Sequence, residues 1–370
     1  MREWTDGSTA IVRGALHAGC TFFAGYPITP ASPILMSMLA ELPKTGGVAI
    51  QAEDEIAAIG MCIGAAMSGA RAMTATSGPG ISLYSENLGL AIMGEVPLVV
   101  VDVQRLGPAT GGATTVGQGD LQFVRWGTSG GFPVIVLAPS TAAEGYGVTR
   151  RAFDLAERFR TPVFVLTDKE LSLTTTTVDP RAYESVPVGA RVQHAVGQPF
   201  TPYHYEPAAA VPPIAHVGDP TLVRFTGSTH DERAFLTKDP ATVGKLNAHL
   251  CAKIDAHAAE LEWAHSDLQP GAETLLVAFG VTSGALRQAV KNLRANGRKV
   301  SSLVPISVWP VPERALAAAL QGVRRVVVAE LNPGLFAREV RLVAPNVEVV
   351  SVTRMDGELV SPTQIEEACR

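Results

Sequence analysis

Three acids stand together in Gln51-Ala52-Glu53-Asp54-Glu55, at the start of a segment whose pattern predicts a helix over Asp54–Ser68. Acids at a helix start ordinarily complement the positive end of the helix dipole, and that role suffices for Glu53 and Asp54. Glu55 is different, because it precedes Gly60, Gly64 and Ser68, a narrow stripe of small side chains spaced by four on which another helix could pack. A close partner would bury the Glu55 carboxyl and push it towards its neutral, hydrogen-bond-donating form.

Three loops offer complementary chemistry. Gly25-Tyr26-Pro27-Ile28-Thr29-Pro30-Ala31-Ser32 follows a strand, and its two prolines hold the Thr29 hydroxyl on a stiff loop at a strand end, where α/β sheets bind ligands. An ordinary strand-to-helix turn with Ser32 as N-cap explains the same residues. Thr74-Ala75-Thr76-Ser77-Gly78-Pro79-Gly80 reads as strand, turn and helix start, where backbone N–H groups around Gly78 suit an anion or a ring nitrogen. It matches neither a Walker loop nor GxGxxG. Arg105 closes the uncharged run Leu98–Val101 plus Asp102-Val103-Gln104 and opens a Gly- and Thr-rich loop that includes Thr110 and ends near Gln118-Gly119-Asp120. A guanidinium there can grip a carboxylate bidentately, or be a surface arginine.

These residues need a scaffold, and the chain's rhythm predicts one. Continuous apolar runs at Thr21–Gly25, Val48–Gln51, Arg71–Thr76, Pro97–Val103, Phe132–Ala138 and Pro162–Thr167 read as strands buried on both faces. Helical stretches at Ser32–Leu42, Asp54–Ser68, Ile81–Met93 and Thr141–Phe159 alternate with them, so a doubly wound α/β domain with a mostly parallel sheet is expected. From Leu173 to Pro270 prolines accumulate and one helical pattern stands out, Asp239–Trp263, which suggests a connecting arm that wraps over a neighbour. The rhythm then returns, with strands at Thr274–Gly280, Val300–Pro305, Arg325–Glu330 and Val347–Val352, and helices at Ser283–Ala295, Pro312–Leu320 and Leu335–Leu342. The division expected is 1–175, 176–270 and 271–370, two α/β domains joined by the arm.

Composition narrows the classes. The chain has 370 residues, 46% hydrophobic and 18% charged, enough to fold around a sizeable core. Thirty Lys and Arg against 35 Asp and Glu, scattered, give a net charge of −5 and argue against nucleic acid. The N-terminal Met1–Gly7 has no apolar leader, and no run is long and apolar enough to span a membrane, so the cytoplasm is the default location. Cys20, Cys62, Cys251 and Cys369 are isolated, which argues against a zinc site, a disulfide framework or a cluster carried by this chain alone. His204 and His216 read as solvated or packing residues of the arm. His230, beside Asp231 and Glu232, could suggest a metal or acid–base site but is taken as structural.

Gly25–Ser32, Glu53–Ser68, Thr74–Gly80 and Val101–Asp120, in this order, resemble the pyrimidine-binding domain of the alpha subunit of 2-oxoacid:ferredoxin oxidoreductases. Gly227–Arg233 followed by Leu236–Asp239 is also similar, as is the transketolase-C-like Phe279–Gly284, so the resemblance spans nearly the whole chain. It implies thiamine diphosphate shared with a partner subunit, coenzyme A as co-substrate, and CoA-dependent oxidative decarboxylation of a 2-oxoacid to an acyl-CoA and CO2, with electrons passed to ferredoxin. By the resemblance, Glu55 hydrogen-bonds the aminopyrimidine ring, Gly78 belongs to the cofactor-binding turn, and Thr29 and Arg105 contact the substrate, with Thr110 a third donor.

The Gly-Asp-Gly…Asn motif that holds magnesium is missing, since Gly218-Asp219 is followed by Pro220 and Gly119-Asp120 by Leu121. The resemblance therefore places magnesium and the iron–sulfur cluster on partner chains, with no metal here. The partners implied are a beta subunit, a gamma subunit in some forms, and ferredoxin, in a heterodimer or a dimer of heterodimers. Where many relatives carry a loop proline this chain has Gly111-Gly112-Ala113-Thr114, which leaves the 2-oxoacid open, with 2-oxoglutarate preferred. The alternatives are a non-redox thiamine-dependent component and a non-catalytic scaffold of the same fold.

Overall fold

The computed structural model describes residues 2–370; Met1, part of the segment read for a leader, lies outside them. In chain order the first unit runs β1 (Glu3–Thr5), α1 (Gly7–His17), β2 (Phe22–Gly25), α2 (Ser32–Glu41), β3 (Val48–Gln51), α3 (Glu55–Met67), β4 (Ala72–Thr76), α4 (Gly78–Leu83), α5 (Ser85–Met93) and β5 (Leu98–Gln104). It continues through α6 (Leu121–Trp126), β6 (Ile135–Leu137), α7 (Glu144–Phe159), β7 (Pro162–Asp168), α8 (Lys169–Leu173) and β8 (Thr176–Val178). Two helices follow, α9 (Pro240–Asp255) and α10 (Ala258–Leu261). The last unit holds β9 (Ala264–Asp267), β10 (Thr274–Ala278), α11 (Thr282–Ala295), β11 (Val300–Pro305), β12 (Ser307–Trp309), α12 (Glu313–Ala319), β13 (Arg325–Glu330), α13 (Leu335–Val343), β14 (Glu348–Thr353) and α14 (Pro362–Ala368).

Two mostly parallel sheets result. The larger has the order β12-β6-β7-β5-β4-β2-β3 and the smaller β14-β13-β10-β11-β9. All seven residues of β5 and of β7 are buried, as the unbroken apolar runs require of strands covered on both faces. Helix starts follow the sequence: Asp6, Asp54, Asp168 and Asp239 each accept a backbone N–H as N-cap, and Ser361 with Gln364 forms a capping box.

The structure departs from the sequence expectations in places. The helix expected over Ile81–Met93 breaks at Tyr84, whose buried phenol reaches Thr74 Oγ1 at 2.8 Å. The pattern at Asp239–Trp263 divides into α9 and α10. β1 and β8, an antiparallel pair of three residues each, are too short for periodicity to reveal. β9, inside the stretch read as arm, pairs antiparallel with β11, and β12 leaves the second unit to pair antiparallel with β6 at the edge of the first sheet. The Gly60, Gly64 and Ser68 stripe faces outward, and a Cβ at either glycine would meet nothing. α3 instead buries Ala58, Ile59, Cys62, Ile63 and Ala66 on the sheet.

The arm is fastened by buried ion pairs. Arg191 donates through Nη2 to Glu157 Oε1 at 2.8 Å and through Nη1 to Ala66 O at 2.9 Å. Lys253 of α9 donates to Glu95 Oε2 at 2.8 Å, and His249 Nε2 stands 3.1 Å from the same oxygen. Burial alone would raise Glu95, but Lys253, His249 and Arg160 hold its carboxyl well below the usual carboxylate range. The two sheets are joined through Gln118, whose Nε2 donates to Phe279 O and whose Oε1 accepts from Thr282 Oγ1 and Leu331 N, each at 3.0 Å. Asp168, the cap of α8, also accepts Val281 N at 2.9 Å.

Candidate functional site at the sheet switch point

β2 and β4 pair only at Phe22–Ala72 and Phe23–Met73, while β4 and β5 stay paired as far as Thr76–Asp102. The ends of β2 and β4 therefore diverge. α2, leaving β2, buries Ile34, Leu35 and Met38 in one core and α4–α5, leaving β4, bury Ile81, Leu88 and Ala91 in the other, so the connections leave by opposite faces of the sheet. That is the switch point at which open α/β sheets form a ligand crevice. Glu55, Thr29, Gly78 and Arg105 follow β3, β2, β4 and β5 respectively, and these are four neighbouring strands. Parallel pairing alone thus brings the four expected residues to one sheet edge.

Their contacts are close. Arg105, 5% exposed, donates from Nη1 to Thr29 O at 2.6 Å, joining the two loops. Its Nε is buried with no hydrogen-bond partner among the described residues. Gly78, at φ +31°, lies under this side chain, and a Cβ there would stand 3.6 Å from Arg105 Cγ. A Cβ at Gly80 would collide with Thr76 Oγ1 and stand 3.0 Å from Glu55 Oε1, so only glycine lets α4 pass this close to the acid. Glu55 itself is 8% exposed. Thr76 Oγ1 and Ser77 Oγ are fully buried and find no partner among the described residues. Buried hydroxyls are nearly always hydrogen-bonded, so unpartnered ones at a crevice suit a polar ligand.

The end of β5 adds a second group. Asp102, wholly buried, forms no hydrogen bond through either carboxyl oxygen, and the neighbouring Gly78 N–H offsets its burial only in part. Burial and then the charge of Asp120 push Asp102 well above the usual carboxylate range. Burial raises Asp120 to about 6 against the opposing pull of Arg105. Gln104 positions Asp120 by accepting its backbone N–H at 3.2 Å while donating to Thr167 O. Arg105, Asp120, Gly107, Pro108, Asn332 and Met355 line a cleft of about 470 Å³ between the two sheets. Asn332 donates to Gln118 O at 2.9 Å and accepts Leu335 N at 2.8 Å at the start of α13.

Asp102 and Asp120 were not among the expected site residues. A readable signal existed for Asp102: it is the one charge within the run Val99-Val100-Val101-Asp102-Val103, where every residue is buried. Thr110 is exposed on the loop after Arg105 and does not line the cleft. His230 is 1% exposed, with Nδ1 facing Asp231 O at 2.9 Å and Nε2 facing Met93 O at 3.3 Å, a packing role. His204 is exposed and paired with Glu232 at 2.7 Å, and His216 is half-buried near Asp219. Among the described residues, no three His, Cys, Asp or Glu side chains gather where they could hold a metal, and no helix is long and apolar enough to cross a membrane.

The chain is similar to known proteins over nearly its whole length. Residues 13–248 match the family model "Pyruvate flavodoxin/ferredoxin oxidoreductase, thiamine diP-bdg", and residues 272–365 match "Pyruvate:ferredoxin oxidoreductase core domain II". The chain is 40% identical to the 2-oxoglutarate synthase subunit KorA of Methanocaldococcus jannaschii, over 99% of this chain and 98% of that protein. It is 35% identical to the ketoisovalerate oxidoreductase subunit VorB of Methanothermobacter thermautotrophicus, over 100% and 97%. A solved 2-oxoglutarate:ferredoxin oxidoreductase from Magnetococcus marinus, with 2-oxoglutarate, coenzyme A and succinyl-CoA bound, superposes with a TM-score of 0.93 at 31% identity. The match covers 100% of this chain and 64% of that one.

Proposed function

Since the chain belongs to the pyruvate flavodoxin/ferredoxin oxidoreductase family of thiamine-diphosphate-binding proteins, we propose that it is the pyrimidine-binding catalytic subunit of a 2-oxoacid:ferredoxin oxidoreductase. The reaction is the CoA-dependent oxidative decarboxylation of a 2-oxoacid to an acyl-CoA and CO2, with electrons leaving to ferredoxin. The observation that carries this reading is the convergence of Glu55, Thr29, Gly78 and Arg105 at the carboxyl ends of four adjacent strands. The site fits the pyrimidine end of the cofactor: a buried carboxyl beside a glycine-only turn, with the unpartnered hydroxyls of Thr76 and Ser77 close by.

Thiamine diphosphate, when bound, supplies the nucleophilic carbon and accommodates the electron pair left by decarboxylation. The work of this chain is positional and electrostatic. Glu55 holds a proton in a hydrogen bond to an aminopyrimidine nitrogen, which favours the tautomer that assists proton loss. Arg105, already fixed on the Thr29 loop, grips the substrate carboxylate, and the Thr29 hydroxyl donates towards the keto oxygen. Thr110, exposed on the loop and outside the cleft, is at most a peripheral donor.

The diphosphate, magnesium and iron–sulfur clusters belong to a beta subunit, with ferredoxin the electron acceptor and a gamma subunit in some assemblies. The complex works in the cytoplasm. 2-Oxoglutarate is the favoured substrate, on the strength of the similarity to KorA and to the Magnetococcus marinus enzyme. The test is reconstitution with the beta partner, thiamine diphosphate, magnesium and coenzyme A, followed by a panel of 2-oxoacids with a low-potential dye. Reduction dependent on both chains, and fastest with 2-oxoglutarate, is expected; no turnover with any 2-oxoacid overturns the reading.

A further inference from the structure

Thr29, Glu55, Gly78 and Arg105 all belong to the first unit, yet the loop that Arg105 opens is held by the second. Gln118 ends that loop wholly buried, and each of its polar atoms is bonded to the second unit. Its backbone N donates to Leu331 O and its backbone O accepts from Asn332 Nδ2, both at 2.9 Å. Its side chain adds bonds to Phe279 O, Thr282 Oγ1 and Leu331 N, each at 3.0 Å. One residue thus meets the end of β10, the start of α11 and the end of β13. A Cβ at Gly280 would collide with Gln118 Nε2, so only glycine lets the amide seat there.

The anchored end of the loop bears directly on Arg105. Gly117, beside Gln118, packs on the backbone where the loop begins: a Cβ there would stand 3.0 Å from Arg105 O and 2.9 Å from Leu106 Cα. Asp120 N, donating to Gln104 Oε1 at 3.2 Å, closes the base. Within the loop Leu106 N donates to Thr115 O at 2.9 Å and Gly112 N to Leu106 O at 2.8 Å, so the segment is bonded to itself and moves as a body. On its outer side Gly357, in the connection between β14 and α14, lies against Thr115, where a Cβ would collide with Thr115 Cγ2. Arg105 spends Nη1 on Thr29 O and leaves Nε unpartnered, so the aim of its guanidinium depends on where its backbone is held.

We propose that Gln118 is a positioning residue for the reaction: through it the second unit fixes the backbone of Arg105 and thereby the placement of the guanidinium on the 2-oxoacid carboxylate. The inference rests on the reading that Arg105 grips that carboxylate. A clamp on a carboxylate is sensitive to displacements of about 1 Å, which the loss of a buried anchor readily allows. The second unit therefore sets affinity for a substrate that it does not touch.

The test is a double-mutant cycle in the reconstituted complex, read as KM for 2-oxoglutarate with a low-potential dye. Gln118→Met keeps the length of the side chain and removes its amide; it should raise KM roughly tenfold, with a smaller change in kcat and no change in the thiamine diphosphate concentration that half-saturates. Added to Arg105→Ala, the same substitution should raise KM by less than about twofold, because its effect runs through the guanidinium. Thr282→Val, in the second unit, removes one bond to Gln118 and should raise KM about two- to fivefold; it carries the test if Gln118→Met does not assemble. Equal fold-changes with and without Arg105, or native KM in both variants while Arg105→Ala is impaired, overturn the inference and leave the Arg105 reading intact. Unchanged KM in Arg105→Ala overturns that reading and the inference with it.

Discussion

Glu95 and Asp102 are both wholly buried carboxylates, within a few residues of each other in sequence, yet their surroundings are opposite. Glu95 has Lys253 at 2.8 Å, His249 at 3.1 Å and Arg160 nearby, and it is held well below the usual carboxylate range. Asp102 has no ion-pair partner among the described residues and is held well above it, by burial first and then by the charge of Asp120. Glu95 fastens the arm, and evolution of a fastener favours matched charge. The strand-end group instead keeps Asp102, Arg105, Thr76 and Ser77 with unspent hydrogen-bonding capacity. Glu95 Oε1 and His249 Nε2 also lack hydrogen-bond partners among the described residues, so it is charge matching, and not unpaired atoms alone, that separates the fastening region from the strand-end one.

Substitutions can break or sharpen this contrast. The largest effect is expected at Glu55→Gln, which should lower kcat of the reconstituted complex by about 10²–10⁴-fold while size-exclusion profiles stay unchanged. Near-native turnover would remove Glu55 from the chemistry. Lys253→Met tests the fastener: stranding the Glu95 charge should cost about 3–5 kcal/mol in denaturant unfolding, with KM unaltered in whatever enzyme remains folded. Arg105→Ala should show the reverse pattern, raising KM for the 2-oxoacid roughly 10–100-fold with little change in stability.

Asp102→Asn probes the sign of the difference. A carboxylate raised by burial adds stability that is fully present below its unfolded value of 3.8 and is lost as pH rises. The asparagine variant should therefore gain on the native chain as pH rises, by about 1–3 kcal/mol at pH 8 in thermal or denaturant unfolding. Glu95 behaves oppositely. Its contribution is complete above 4.5 and is lost as pH falls through its lowered range. The smallest effect is expected at Thr110→Val on the exposed loop, about two- to tenfold in KM, and no change at all would take this hydroxyl out of the site.

The parallel strands were legible because β5 and β7 are buried on both faces, which leaves an apolar run with no alternation to confuse. Legible too were the positions of Glu55, at a helix start, and Arg105, at a strand end before a loop. What escaped depends on partners distant in sequence. Nothing local marks β12 as belonging to another sheet, since its pairing with Ser307↔Leu137 is a tertiary event. Asp120 appears in the sequence only as the end of the Gly- and Thr-rich loop; its enclosure by Gln104 and the second sheet is tertiary. The outward glycine stripe of α3 misled for a related reason: spacing tells which residues share a face, not what lies opposite.

β12 has a bearing on how the chain is made. β6 forms the edge of the larger sheet until Ser307–Trp309 pair with it, and an open edge is a template for unwanted strand addition. Translation at about 5–20 residues per second leaves that edge uncovered for roughly ten seconds or more after β6 emerges. The first unit thus waits for a strand encoded in the second, and arrival of that strand marks the nascent polypeptide as having been synthesised far enough to close both layers.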